Sequence, residues 1–272
     1  MEATEHANLP EYDRPPVREV LLGVQFGALE RLGGPYIGLL WQEFRKQFGK
    51  LEEQPQLVFR PERFGLPTPE LPTVELVDSL APRIWFVNDS GTELLQVQQD
   101  WFSHNWRKID EEDKYPRFAT LRAAFNDELE RLTSFIKREG LGTFKPVQCE
   151  VTYVNLIRLN SDDSIGDILT VFKPEFSDDF LTTPENFSAH LRFLIPGNDG
   201  APIGRLHIVA TPVIELKTQQ PAVRLTLTAR GYPDGDNPAA IFAFFDKGHE
   251  WIVRGFTSIT TPKMHDRWGR NQ

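Results

Sequence analysis

Residues 118–140 read FATLRAAFNDELERLTSFIKREG, and Phe118, Leu121, Phe125, Leu129, Leu132, Phe135 and Ile136 recur there at three- and four-residue spacing. That spacing places them on one stripe of a long helix, which Gly140 is positioned to stop. A stripe of this length has to lie on a broad apolar surface, and a sheet is the element that offers one. The flanking sequence supplies strands. Residues 15–26 (PPVREVLLGVQF) enter extended behind Pro15 and Pro16, then carry Val17, Val20, Leu22, Val24 and Phe26 in partial alternation. RIWFVN and TELLQVQQDWFSHNW read as a hairpin turned by DSG. Between these lies GGPYIGLLWQEFRKQFG, an amphipathic helix with Pro35 in its first turn and Gly49 at its end. QLVF, further on, reads as a short strand.

The same order returns after residue 145. KPVQCEVTYVNLIRL is a strand, SDDSIGDILTVF a short helix with Ser164 and Asp167 at capping spacing, and FSAHLRFLI, IGRLHIVATPVIEL and AVRLTLTARGY are three further strands. A second long helix, residues 238–256, follows Asn237 as N-cap and Pro238 as first helical residue. The expected fold is α+β, with two tandem halves, each an antiparallel sheet carrying one long helix, open to joining as one large sheet. The halves run over residues 15–145 and 146–272, behind a flexible leader of residues 1–14.

The chain has 272 residues, 40% of them hydrophobic, so it can bury a sizeable core. Its formal net charge of −9 gives it no overall attraction to nucleic acid or an anionic membrane. Direct nucleic-acid binding is therefore not expected. The beginning of the sequence carries no basic segment leading into an apolar stretch, and no apolar run is long enough to span a bilayer. The expected setting is the cytoplasm, with no membrane contact. One cysteine, Cys149, allows neither an intramolecular disulfide nor a cysteine zinc cage, and its mid-strand position reads as structural packing.

Chemistry is sparsely marked. The six histidines show no metal-ligand spacing, and no phosphate-binding glycine loop or nucleophile elbow occurs. No metal or cofactor is expected. The segment QQDWFSHNWRK (residues 98–108) concentrates Asp100, Trp101, His104, Asn105, Trp106 and Arg107. A catalytic Asp100–His104 pair on a strand would stand ~13 Å apart, at about 3.3 Å per residue, too far to touch. Trp and Arg together are more typical of a binding surface. The tail DRWGR repeats the combination in Trp268 and Arg270.

These pieces carry a resemblance. PPVREV, the segment with Gln99, Asp100, Asn105, Trp106 and Arg107, the Tyr115–Pro116 pair, and the closing Trp268–Gly269–Arg270 occur in an order that resembles a sporadically distributed family of uncharacterised bacterial and archaeal proteins. The resemblance spans nearly the whole chain and implies no enzymatic activity. Its patchy distribution resembles that of mobile accessory genes, such as toxin–antitoxin and antiphage systems.

The sequence thus points first to a non-catalytic accessory protein, antitoxin-like or part of an antiphage defence, that binds another protein, a basic one given the charge. Its binding residues would be Trp101, Asn105, Trp106, Arg107, Trp268 and Arg270, with Asn105, Trp106 and Arg107 clasping the tail. Two alternatives stand beside it. One is a small-ligand binder with a cavity between sheet and helix; the other is an enzyme without a recognisable motif.

Overall fold

The structure is a computed structural model, and it describes residues 9–65, 82–160, 163–171 and 187–271. Nine strands make one antiparallel sheet: β1 (Val17–Phe26), β2 (Lys50–Gln54), β3 (Arg83–Val87), β4 (Glu93–Gln98), β5 (Trp101–Arg107), β6 (Pro146–Arg158), β7 (Ala189–Pro196), β8 (Pro202–Glu215) and β9 (Gln220–Gly231). Their order is β2-β3-β4-β5-β1-β6-β9-β8-β7. The two expected sheets are therefore one. They join where β1 pairs with β6, with Val20 opposite Tyr153 and Leu22 opposite Val151.

Among the described residues, four α-helices accompany the sheet: α1 (Gly34–Phe44), α2 (Phe118–Arg138), α3 (Pro238–Ile259) and α4 (Pro262–Trp268). The two long helices match their sequence spacing closely. Asn237 caps α3 by accepting from the Ala240 amide at 3.0 Å, with Pro238 as first residue. α2 and α3 share one sheet face, where Phe125 meets Phe242 and Phe245 edge-on and Arg122 pairs with Asp246 at 2.6 Å. Phe102 of β5 stacks on Phe125, and Phe44 of α1 reaches both Phe86 and Phe102. α3 approaches β6 and β9 closely because Gly248 has no side chain. A Cβ there would sit 3.1 Å from Ala229 Cβ and 3.3 Å from Val151. One apolar core runs the length of this layer. Cys149 is buried in it, and burial pushes its thiol well above the ordinary range.

A hydrogen-bonded histidine–glutamate pair crosses the core. His104 Nδ1 on β5 lies 2.9 and 3.0 Å from the two carboxylate oxygens of Glu128 on α2, both residues buried. Burial opposes charge on both: the adjacent Glu128 carboxylate raises the His104 pKa against it, while burial raises that of Glu128 as well, so the two hold one proton between them. The pair fastens α2 in register on the sheet.

Several local readings are corrected. The run 92–106 is not a single hairpin arm; it folds back at Gln99–Asp100 to give β4 and β5, with Gln98 opposite Trp101. That turn is pinned by β1, whose exit donates from the Phe26 and Leu29 amides to the Asp100 and Gln99 carbonyls at 2.9 Å each. α1 stops at Phe44 rather than reaching Gly49, yet Phe48 still enters the core and accepts from Trp41 Nε1. The strand in this region is β2 at Lys50–Gln54, before QLVF. The short helix expected near Ser164 is a single 3-10 turn, Ile165–Asp167, in which Asp167 accepts from the Ser164 amide and hydroxyl. The chain then leaves to pair Leu169 with Thr260, and residues 161, 162 and 172 of that expected helix lie outside the described residues. Part of the expected leader is held in place. Tyr12 is buried against Phe256, His265 and Trp268, and bridges to Arg270.

Phe125 and Phe245 are completely buried where the two helices and the sheet meet. Phe125→Ala and Phe245→Ala should each lower the unfolding free energy by roughly 3–5 kcal/mol in urea titrations. A midpoint that stays put in both variants would contradict this packing.

Candidate functional site

The alternation of β5 divides the sequence-marked residues between two faces. Phe102, His104 and Trp106 point to the helices, where Trp106 packs on Tyr115. Trp101, Ser103, Asn105 and Arg107 point the other way. There Trp101 lies across Gly23 of β1, so closely that a Cβ on Gly23 would stand 2.4 Å from the indole. Asn105 joins a hydrogen-bonded row: it accepts from Gln96 at 2.7 Å and Ser103 at 3.2 Å, and donates to Glu19 at 2.6 Å. Arg107 donates to the Gly91 carbonyl and lies over Trp85. The tail clasp is therefore not built by Asn105 and Arg107. The tail docks instead on residues 11–14, through Asp13 and Arg14 amides donating to Gly269 and Trp268 carbonyls at 3.0 Å and Asn271 donating to Glu11 at 2.9 Å. Arg270 bridges to Tyr12, and its guanidinium reaches His265.

The second face of the sheet is polar and still largely buried. Residues 55–65 cross it as a strap. Gln98 both accepts from and donates to the Leu57 backbone, and Gln148 accepts from the Glu62 amide and donates to the Arg60 carbonyl. Glu62 is gripped by Arg205 and His207, each at 2.6 Å. Burial opposes its charge, but His207, Arg205 and Arg230 outweigh that and lower its pKa.

On the helix side, the end of α3 and the start of α2 leave a cavity of about 400 Å³ against β1 and β6. Val17, Phe118, Ile252, Val253 and Phe256 line its apolar part, with Leu9 to Tyr12 across one side. Its polar end is a chain: Tyr115 and Tyr153 hydroxyls lie 2.7 Å apart, and the Tyr153 hydroxyl lies 3.1 Å from His249 Nδ1. The His249 ring stacks on Phe118 at 3.9 Å, nearly parallel. Burial raises both tyrosine pKa values and pushes His249 down to about 4. At neutral pH this end is two phenols and an uncharged imidazole. It can orient a polar group on a ligand, but its pKa values are far from those suited to proton transfer near pH 7.

A wider groove of about 900 Å³ adjoins the cavity; the two share Pro15, Val17, Tyr115 and Arg117. Trp106 and Trp268 both line the groove, although each ring packs on other partners. Seven cationic side chains (Arg14, Arg18, Lys108, Lys114, Arg117, Arg158, Arg267) and four acidic ones (Asp13, Glu111, Glu112, Asp113) line it too. Glu215 and Asp163, just behind the lining, pair with Arg18, Arg158 and Arg267, so cations still outnumber acids there on a protein of net −9. Arg158 and Arg18 converge on Glu111, whose carboxyl they pull down to about 2.

Sequence reasoning marked Trp106 and Trp268, which line the groove, and expected a cavity between sheet and helix without naming Tyr115, Tyr153 or His249 as its polar end. His249 carried a legible signal, since it interrupts an apolar stripe of Phe245, Ile252 and Phe256 at helical spacing. Tyr153 alternates with buried apolar residues on β6 and gave none. Among the described residues, no group of three or more His, Cys, Asp or Glu could hold a metal ion, and no helix is long and apolar enough to cross a membrane. No protein-family model and no curated protein matches the chain.

The His249 environment fixes a pH dependence. In the unfolded chain its pKa returns to about 6.5. Between there and about 4 the unfolded state binds a proton that the folded state refuses, so stability falls as pH drops through that window. Allowing for water entering the cavity, the loss is on the order of 2 kcal/mol. Urea titrations at pH 7.5 and 4.5 should show a smaller acid loss in His249→Phe than in wild type. An equal loss in both would mean that His249 is not held neutral by burial.

Proposed function

We propose that this protein is a non-catalytic binder of a small, largely apolar ligand, held in the cavity between α2, α3 and the β1–β6 junction. The single observation that carries the reading is an apolar cavity ending on the Tyr115–Tyr153–His249 chain. Binding sites of this kind combine apolar walls with a few convergent polar groups. A volume of about 400 Å³ falls within their usual range. The uncharged imidazole favours holding over acid–base chemistry.

A protein partner is the second reading, and one observation favours it. At the β8–β9 hairpin tip Leu216 is 86% exposed and Ile214 57%, near the exposed Ile109, whose carbonyl receives Lys217. Apolar side chains this open suit a small contact patch. An antitoxin-like or defence component would use them on a basic partner, consistent with the net charge. On that reading Leu216→Glu weakens the complex and leaves the cavity unchanged.

The neutral fluorophore N-phenylnaphthylamine tests the principal reading. Its emission should rise on mixing with the wild-type protein and saturate at micromolar concentration. Val253→Phe, which fills the cavity from a half-buried position on α3, should abolish the rise while the protein still unfolds cooperatively. No saturable rise in wild type, or an undiminished rise in Val253→Phe, would overturn the assignment.

A further inference from the structure

The neck between cavity and groove is formed in part by Arg117, and its backbone is unusual. Arg117 has φ 72° and ψ 154°, a region that glycine occupies and other residues avoid at a cost of about 1–3 kcal/mol. Nothing in the local sequence requires a large cation there, because a glycine would serve the same turn without strain. The side chain is held only lightly. It donates to the Tyr12 carbonyl at 3.2 Å and lies 6.0 Å over the Tyr115 ring. Among the described residues it meets no carboxylate, and neither do Arg14 and Lys114 in the adjoining groove. The other groove cations differ: Arg18, Lys108 and Arg158 share Glu111 and Glu215, and Arg267 pairs with Asp163. Among the described residues, a cation that meets no carboxylate thus stands at the mouth of an apolar cavity.

From this arrangement, and resting on the cavity reading above, we propose that the ligand is an amphipathic carboxylate, with its apolar body in the cavity and its carboxylate on Arg117. A guanidinium offers two parallel donors that match a carboxylate. A guanidinium that meets no carboxylate among the described residues can neutralise one negative charge, which suits a monoanion. The apolar walls of Val17, Phe118, Ile252 and Phe256 accept a chain or ring, and the tyrosine–histidine end takes a second polar atom. Arg14 and Lys114 add a field that favours the anion and weakens with salt.

Competition against N-phenylnaphthylamine separates this inference from the reading beneath it. Decanoate and decanol share an apolar chain and differ in charge. Decanoate should displace the probe at a concentration about tenfold or more below that of decanol, the gain expected of a charge-assisted pair. Arg117→Gly removes the guanidinium and relieves the backbone, so the variant should melt no lower than wild type. In it the decanoate-to-decanol ratio should fall to about one, and in Arg117→Lys most of the preference should return. Equal displacement by both ligands in wild type, or a preference that survives Arg117→Gly, overturns the carboxylate assignment and leaves the cavity reading standing. Displacement by neither overturns both.

Discussion

Pairing of β1 with β6 is the constraint on which the rest depends. β1 has a strand on each side, with β5 opposite it on one edge and β6 on the other, so its backbone groups are taken up twice over. Val20, Leu22 and Val24 are completely buried beneath the helices. A slip of one residue would turn all three to the polar face. The same pairing sets α2 beside α3, because α2 lies on β5 and β1, α3 lies on β6, β8 and β9, and β1–β6 is where these strands join in the sheet. The cavity exists because of that meeting. Tyr153 stands on β6, Val17 on β1, Tyr115 and Phe118 at the start of α2, and His249 on α3. No half of the chain contains the site by itself. The pairing also joins residues far apart in sequence, whose closure entropy has to be met before the contact stabilises anything.

The opposite face of the sheet answers a different problem. Gln96, Gln98, Ser103, Asn105 and Gln148 are buried there, and each buried amide left unpaired would cost about 1–3 kcal/mol. The strap of residues 55–65 satisfies two of these side chains with its own backbone, and the row from Gln96 through Asn105 to Glu19 satisfies others. This accounts for the aromatic and polar mixture that drew attention to QQDWFSHNWRK. Trp101 and Asn105 are buried by packing and hydrogen bonding within the chain, and Trp106 alone of that segment's marked residues lines the groove.

The helices were legible because long stripes and caps leave strong local marks: the α2 stripe, and Asn237 with Pro238 at α3, needed no knowledge of tertiary structure. The strands were legible as elements and their partners were not. Nothing in VREVLLGVQF says that β1 pairs with β6 as well as β5, since pairing depends on which edges meet. The fold-back at Gln99–Asp100 was hidden for a related reason. It lacks a glycine or proline turn signal and is held by amides of β1 that are remote in sequence. The site was least legible. Its polar chain takes one residue from the start of α2, one from β6 and one from α3, and only His249 breaks a local pattern.

Arg117 shows where local rules yield. A cation at the N-terminus of a helix opposes the helix dipole, which favours negative charge at that end. Arg117 occupies the N-cap of α2, supplies no side-chain cap and bears a strained backbone. Three local penalties fall on one residue, while the other end of α2 carries Lys137 and Arg138, where the dipole welcomes them. Folding alone gives no reason for the contrast, because residues that cap or relieve the turn are simple replacements. An anion at the neck supplies one. It would face the guanidinium and the uncapped amides of the first turn together, so features that oppose folding by themselves would favour binding. Local inconsistency confined to the opening of a cavity is the pattern expected where binding, rather than stability, determines the residue.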